Sequence, residues 1–445
     1  MTQRDQLIIS QYTDKNTYSG SVKSSLGGVL SELLEGDLDF AQDSDDMGIH
    51  NLHAFPAKYP PALPRLFIQC LTQPGEVVLD PMVGSGTTVL EATRMERYGV
   101  GSDIDPLALL LSRVKTDPPD PVRAFQSGLN VCHRAYLALE RDRSAVGREI
   151  QKRFDDRTRQ FLAYWFTQET QQELMALLLQ IEMEPDPVIR RFLRLCFSGI
   201  IVTKSGGVSL AMDLAHTRPH KAAGKVPRSA IEEFAKRLRK NIAGIAQAGR
   251  HRGRTAVLCA DARTLPLREG SVHLIVTSPP YAANAIDYMR AHKFSLVWFG
   301  YSIDALASRR KEYVGHEACP YGLPVPLPKP VQQVVDTVRH VDARKARALE
   351  RYYQDMMRVM REAYRVLQPG RCAVFVVASS RLAGIDTRAD LCLSEMARAV
   401  GFQIAGVGTR RIHRDRRMMP VSRHAGDGSA IEQRMHQEYV IGLIK

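Results

Sequence analysis

Residues 76 to 105 constrain the fold of this chain more than any other stretch. Glu76-Val77-Val78-Leu79-Asp80 is a short β-branched and aliphatic run ending in an acid, the pattern of a buried strand. Pro81-Met82-Val83-Gly84-Ser85-Gly86-Thr87-Thr88 follows, and Val89 to Arg94 then takes helical spacing, with Ser85 or Thr87 as the expected cap. Gly99-Val100-Gly101-Ser102-Asp103-Ile104-Asp105 reads as a second strand with acids at its end, and Pro106 opens a helix to Lys115. Strand, glycine loop, helix and acid-ended strand make the first half of a nucleotide-binding α/β unit.

Asp103 follows Gly84 by nineteen residues, close to the ~20 at which a carboxylate meets ribose hydroxyls. The third glycine of G-x-G-x-x-G is absent, because Thr87, Thr88 and Val89 follow Gly86. A pyrophosphate-binding dehydrogenase usually has that glycine. A cofactor without phosphates, such as S-adenosylmethionine, needs only a close backbone approach, so the loop favours an adenosyl cofactor over NAD.

The sheet restarts at Val257-Leu258-Cys259-Ala260-Asp261-Ala262-Arg263. Asp261 reads either as an acceptor for an adenine amino group or as a turn-capping acid. Ser271 to Ile275 then leads into Val276-Thr277-Ser278-Pro279-Pro280-Tyr281. Each proline fixes φ and removes an N–H, which leaves preset carbonyl acceptors beside a hydroxyl and an aromatic face. A planar amine can lie on Tyr281 and donate to Ser278 and the Pro279 carbonyl. A plain strand end with a proline turn is the alternative reading. Downstream, the pattern predicts a helix over 285–299, an irregular proline-rich loop over 300–347, a helix over 351–367, a strand over 371–378, a helix over 391–400, and strands over 402–407 and 438–444.

A chain of 445 residues, 44% hydrophobic and 24% charged, has room for two or three domains or one domain with large insertions. No run approaches the ~18 apolar residues of a membrane span, and no signal pattern opens the chain, so a cytoplasmic protein with no membrane partner is expected. Seven dispersed cysteines without a C-x-x-C pair argue against disulfides and a metal site. The net charge of +13 is concentrated. Ten Lys/Arg lie between His220 and Arg254 against Glu232 and Glu233, and Arg410, Arg411, Arg414, Arg416, Arg417 and Arg423 lie against Asp415. Such concentration favours a nucleic-acid face over a solvated one. Four segments result: a polar, mobile arm with a helical turn or two (1–48), a cofactor-binding half (49–115), a helical insert (116–254) and a second half (255–445).

Taken together, these motifs resemble the amino-methylating DNA methyltransferases, which act on cytosine N4 or adenine N6. The resemblance covers residues 50–115 and 255–445. It implies a doubly wound, mostly parallel sheet of the Rossmann-like class I type, with S-adenosylmethionine as cofactor. It places the cofactor against Phe55 (in Phe55-Pro56-Ala57-Lys58-Tyr59), Asp80, Pro81, Gly84, Ser85, Gly86, Thr87, Thr88, Asp103, Ile104, Asp261 and Ala262. It makes Ser278, Pro279, Pro280 and Tyr281 catalytic. Serine in the first position points by resemblance to cytosine N4, since Asn or Asp is more usual in adenine enzymes; the chemistry of a hydroxyl serves both bases. The motif order makes the basic insert the natural reader of double-stranded DNA, with 300–347 and 410–423 able to share the task. A cognate restriction endonuclease is a partner this class admits, in a prokaryotic, nucleoid-associated setting.

The chemistry agrees with that resemblance. An exocyclic amine is a poor nucleophile because its lone pair is delocalised into the ring. Two acceptors at its hydrogens favour a tetrahedral nitrogen facing the sulfonium methyl, and in-line positioning supplies much of the rate. Tyr281 stacks on an extruded base and stabilises the charge passing onto nitrogen. Methylation at cytosine C5 needs a nucleophilic cysteine, usually after proline; Ala318-Cys319-Pro320 has the reverse order. The competing readings are an RNA amino-methyltransferase, a DNA-binding protein with an inactive methylase fold and, last, a dehydrogenase. His53, Lys58, Asp287, Tyr288, Arg290, His292 and Lys293 read as packing or phosphate-contact residues, and Trp165, Trp298, Met356, Met357 and Met360 as packing.

Overall fold

Alternating apolar side chains along the central strands let one sheet carry helices on both faces. The computed structural model describes residues 25–40, 47–55, 58–203, 207–212, 214, 219–221, 224–249, 253–282, 288–316, 324–411 and 437–445. In chain order the helices are α1 (Leu26–Glu35), α2 (Met47–His50), α3 (Ala62–Leu71), α4 (Thr87–Arg94), α5 (Pro106–Thr116), α6 (Pro121–Arg153), α7 (Asp156–Trp165), α8 (Gln168–Glu182), α9 (Pro187–Ile201), α10 (Ala230–Ala248), α11 (Tyr288–Leu296), α12 (Ile303–Lys311), α13 (Lys329–Val341), α14 (Ala343–Val366) and α15 (Ala389–Val400). The strands are β1 (Val77–Asp80), β2 (Tyr98–Asp103), β3 (Thr255–Cys259), β4 (Val272–Thr277), β5 (Leu367–Val377), β6 (Arg381–Leu382), β7 (Ile385–Asp386), β8 (Gln403–Arg411) and β9 (Gln437–Ile444).

Seven strands form one sheet in the order β3-β2-β1-β4-β5-β9-β8. The first five run parallel, and β9 is antiparallel to both β5 and β8. Val78, Leu274, Val276, Val374 and Val440 face α1 and α3, whereas Leu79, Ile275, Ala373, Phe375 and Ile441 face α13, α14 and α15. Both faces are therefore covered, as a parallel sheet requires. This is the doubly wound, Rossmann-like class I arrangement. Helices α6 to α10 pack around Phe192, Phe197, Phe234 and Leu238, and Trp298 joins the same core between Phe154, Phe166 and Phe197. No described helix is long and apolar enough to cross a membrane.

The absent third glycine has a structural counterpart on the neighbouring strand. Val89 occupies its place in α4, and space for the helix comes from β2. A Cβ on Gly99 would lie 2.8 Å from the Val89 carbonyl oxygen, and one on Gly101 would lie 2.9 Å from the Val89 side chain. The small residues have moved from helix to strand, and the close helix–sheet approach is kept.

Three elements differ from the sequence reading. The arm contains a full helix, α1, capped by Ser25, which buries Val29, Leu30, Leu33 and Leu34. It seats on glycines of the sheet edge: a Cβ on Gly442 would come within 2.5 Å of Leu34, and Ser31 Oγ donates to the Ala405 carbonyl at 2.9 Å. Within 300–347, α12 and α13 are regular. Ser302 caps α12, and Pro330 falls in the first turn of α13, where a missing N–H breaks no helical bond. Val331, Val335 and Val338 then recur at helical spacing and are buried. Neither Ser85 nor Thr87 caps α4, because Gly86, left-handed at φ 79°, holds the cap position without a side-chain bond. Residues 1–24 and 41–46 of the arm, and Gly322 and Leu323 of the proline-rich stretch, lie outside the described residues.

Candidate active site

The strand order reverses between β1 and β4, and ligands of open α/β sheets bind outside the carboxyl ends at such a point. The two strand ends are tied together there. Thr277 Oγ1 donates to Asp80 Oδ1 at 2.7 Å, and the Met82 amide donates to the same oxygen at 3.2 Å. The Tyr59 hydroxyl reaches Asp80 Oδ2 at 3.4 Å and also pairs with Thr88, whose hydroxyl donates to the Val276 carbonyl at 3.1 Å. Burial pushes the Asp80 carboxyl up to about 6, against the pull of the Thr277 and Met82 hydrogen bonds.

The second acid is set by the glycine loop. Asp103 Oδ2 accepts from the Gly84 amide at 2.9 Å, and Oδ1 accepts from the Asp105 amide at 2.9 Å. Desolvation, followed by the neighbouring Asp105 charge, raises Asp103 to about 7. Asp105 goes the other way. Burial alone would raise it, but His292 Nδ1 at 2.6 Å and the Tyr313 hydroxyl at 2.8 Å hold it below the usual carboxylate range.

One cleft, with about 1150 Å³ of empty space at and behind its mouth, is lined by Phe55, Asp80, Pro81, Gly84, Ser85, Thr87, Asp103, Ile104, Asp261, Ala262, Ser278, Pro280 and Tyr281. Among the residues expected at the site, Gly86, Thr88 and Pro279 are not in its lining. Gly86 packs on Ser112, Thr88 stands behind the cleft in the Asp80 network, and Pro279 is buried. Pro56 and Ala57 lie outside the described residues. Asp261 has the turn-closing role and also lines the cleft. It closes its own turn by accepting the Arg263 amide at 2.8 Å and pairs with the buried Arg263 guanidinium at 2.7 Å, yet it still faces the cleft.

The sequence reading missed part of the wall. Tyr288 lines the cleft and stacks on Phe55, with ring centroids 5.6 Å apart. Lys58, Tyr59, Asp105, Arg310, Tyr313 and His316 also contribute. Lys58 and Tyr59 adjoin the Phe55 motif, a usable signal. Arg310 and Tyr313 gave none, since they sit in a stretch read as irregular. His53 is a packing residue: it is buried, held by Ser198 at 2.9 Å, and pushed down to about 3 by burial.

The basic clusters are only partly a surface. Lys221, Lys236, Arg239 and Lys240 are exposed, with Lys221 3.9 Å over the exposed Tyr164 ring, whereas Lys225 is half-buried and donates to the Ala211 carbonyl at 2.6 Å. Arg410, expected on the nucleic-acid face, is 4% exposed and bonds Glu438 at 2.7 Å. It is an internal residue. Arg250, Arg252, Arg414, Arg416, Arg417, Arg423, Asp287 and Cys319 lie outside the described residues. Among the described residues no group of three His, Cys, Asp or Glu is placed to hold a metal ion.

The chain matches the family model described as DNA methylase over residues 9–112. The Type II methyltransferase M.MvaI of Kocuria varians is 24% identical over 375 residues, which span 78% of this chain and 80% of that protein. M.MjaII of Methanocaldococcus jannaschii is 32% identical over 72 residues, 16% of this chain and 14% of that protein. M.BglII of Bacillus subtilis is 29% identical over 102 residues, 22% and 27% of the two chains.

Proposed function

The chain belongs to the amino-methylating DNA methyltransferases, and from that premise we propose that it methylates the exocyclic amine of a base extruded from double-stranded DNA, cytosine N4 in preference to adenine N6. The observation that carries this reading is the Thr277–Asp80 hydrogen bond. It fixes the start of Ser278-Pro279-Pro280-Tyr281 against the end of β1, so the tetrapeptide and the glycine loop open onto one cleft.

The residues present fit S-adenosylmethionine, the family's cofactor, which supplies an electrophilic methyl on a sulfonium. A Cβ on Gly84 would meet the Phe55 ring at 3.3 Å, so a bare backbone turns toward the cleft where an adenosyl group needs close approach. With the cofactor bound, Asp103 would hold the ribose hydroxyls, Asp261 would face the adenine, and Phe55 and Asp80 would hold the rest of it. Ser278 accepts one amine hydrogen at the cleft, and the other is assigned to the backbone carbonyl of Pro279, although Pro279 itself is buried outside the lining; together they free the nitrogen lone pair. Tyr281 carries the base on its ring. The choice of cytosine rests on serine at 278, and the relatives named as Type II methyltransferases support a site-specific enzyme with a restriction partner.

The test is product identity. Labelled S-adenosylmethionine and mixed-sequence duplex DNA are incubated with the purified protein, and the DNA is digested to nucleosides. The label is expected in N4-methylcytosine. Label in N6-methyladenine overturns the base assignment alone, and label confined to RNA in a parallel reaction overturns the DNA reading.

A second expectation follows from Asp103. Ribose hydroxyls donate to its charged form, so binding releases a proton wherever the free carboxyl is still protonated. With the free value at about 7, cofactor affinity should tighten roughly tenfold between pH 6 and 8 and then level off. Calorimetry over that range should give this slope, and Asp103→Asn should flatten it. In the cofactor-free protein the sign reverses. A folded value above the unfolded ~3.9 contributes stability at low pH that is lost as pH rises through 7. A pH-independent dissociation constant in the wild type would remove Asp103 from the ribose site.

A further inference from the structure

The catalytic tetrapeptide is braced from the far edge of the sheet. The Tyr281 hydroxyl donates to Glu438 Oε1 at 2.6 Å, and Glu438 Oε2 accepts from Arg410 Nη1 at 2.7 Å. Tyr281 and Glu438 are each 8% exposed and Arg410 4%. The three come from the turn after β4, the start of β9 and the end of β8. Arg410 and Glu438 are direct cross-strand partners. Val377, the last residue of β5, pairs with Tyr439, so Glu438 stands one residue beyond the end of β5. From there its carboxylate spans to the tetrapeptide past the strand between them.

This arrangement is costly as mere packing. Two charges taken out of water are repaid only by excellent geometry, and apolar replacements of equal volume are often as stable or more so. Here the geometry is incomplete, because Arg410 Nε is buried without a hydrogen-bond partner among the described residues. A phenylalanine at 281 would fill the same space and offer the same stacking area. The hydroxyl and its two charged supports make sense where ring orientation and ring charge matter.

We infer that Glu438 and Arg410 are positioning residues for methyl transfer, acting through Tyr281. The inference rests on the function proposed above. Glu438 fixes the ring against rotation and tilt, so the base lying on it presents its amine to the acceptors at Ser278 and Pro279. A phenol that donates to a carboxylate also gains electron density in its ring, which strengthens the attraction to the positive charge growing on the amine nitrogen. Arg410 holds the Glu438 carboxylate aimed at the Tyr281 hydroxyl. All three effects operate more strongly in the transition state than in the bound ground state, so they raise kcat more than they lower KM.

The test compares Tyr281→Phe, Glu438→Gln and the double variant in the full-length protein by single-turnover methylation of duplex DNA. Each single variant is expected to slow transfer 10- to 100-fold, with KM for DNA and the dissociation constant for S-adenosylmethionine within about twofold of wild type. The double variant should be no slower than the slower single one, because both changes break one linkage. Tyr281→Phe removes a single hydroxyl and decides the matter alone if Glu438→Gln fails to fold. Wild-type transfer rates in Tyr281→Phe overturn the inference, as do losses that multiply in the double variant or that fall equally on KM. A wild-type protein that methylates no nucleoside overturns this and the proposed function together; active wild type beside equally active variants overturns this inference only.

Discussion

Replacing Ser278 with alanine is expected to slow methyl transfer about 10²- to 10³-fold in a single turnover, while affinity for S-adenosylmethionine stays within about twofold. Removing one preorganised hydrogen-bonding group at a site of charge development has effects of this size. The position of Ser278 separates chemistry from binding. It lies at the cleft just past β4, and the strand end is held by its neighbour Thr277 through Asp80 at 2.7 Å. Losing the Ser278 hydroxyl therefore leaves that tie intact. Thr277→Val offers the contrast: it leaves the buried Asp80 carboxyl short of a donor, so both transfer and cofactor binding should weaken. Rapid-quench methylation and calorimetry on the two variants make the comparison. A Ser278→Ala enzyme with the wild-type rate would show that the amine needs no acceptor there. A Ser278→Ala protein that loses the cofactor as Thr277→Val does would make Ser278 a structural residue.

Most of the sheet is legible because its rules are local. Runs such as Val77-Val78-Leu79 and Val272 to Thr277 are apolar on both faces, and each stops at an acid, a proline or a hydroxyl. Capping chemistry is equally local: Asp105, Asp120 and Asp186 each precede a proline and each caps the helix that follows. What escaped depends on distant partners. The apolar patch of α1 is too short to announce a helix by itself, and it becomes one against glycines at 406, 408 and 442. Arg410 looks like one more cation in a basic run until β9 brings Glu438 opposite it. Tyr288 reads as packing in sequence and does pack, on Phe55, with the same ring bordering the cleft. Residue type and spacing thus locate the cofactor loop and the tetrapeptide, whereas the support behind them comes from strands about 160 residues away in the chain.

The same distinction predicts that Gly86→Ala should be among the most damaging single substitutions, although Gly86 does not line the cleft. Two costs combine. At φ 79° the backbone is left-handed, which disfavours any side chain by about 1–3 kcal/mol. The added Cβ would also lie 2.8 Å from Ser112 Oγ and 3.0 Å from Ser112 Cα. The second of these atoms is helix backbone and cannot rotate away, so α5 or the loop must shift, at a further cost of about 1–3 kcal/mol. Together, roughly 2–6 kcal/mol is a large share of an ordinary domain's stability. The shift also falls on Gly84 and Ser85, and so on the Gly84 amide that orients Asp103. Gly75→Ala separates the two costs, because Gly75 is also left-handed, at φ 84°, but a Cβ there meets nothing within 4 Å. Chemical denaturation should find Gly75→Ala destabilised by about 1 kcal/mol with cofactor binding intact. Gly86→Ala should lose several times as much and bind S-adenosylmethionine at least tenfold more weakly. Equal, mild effects in the two variants would mean that the contact with Ser112 relaxes freely and that the loop tolerates movement.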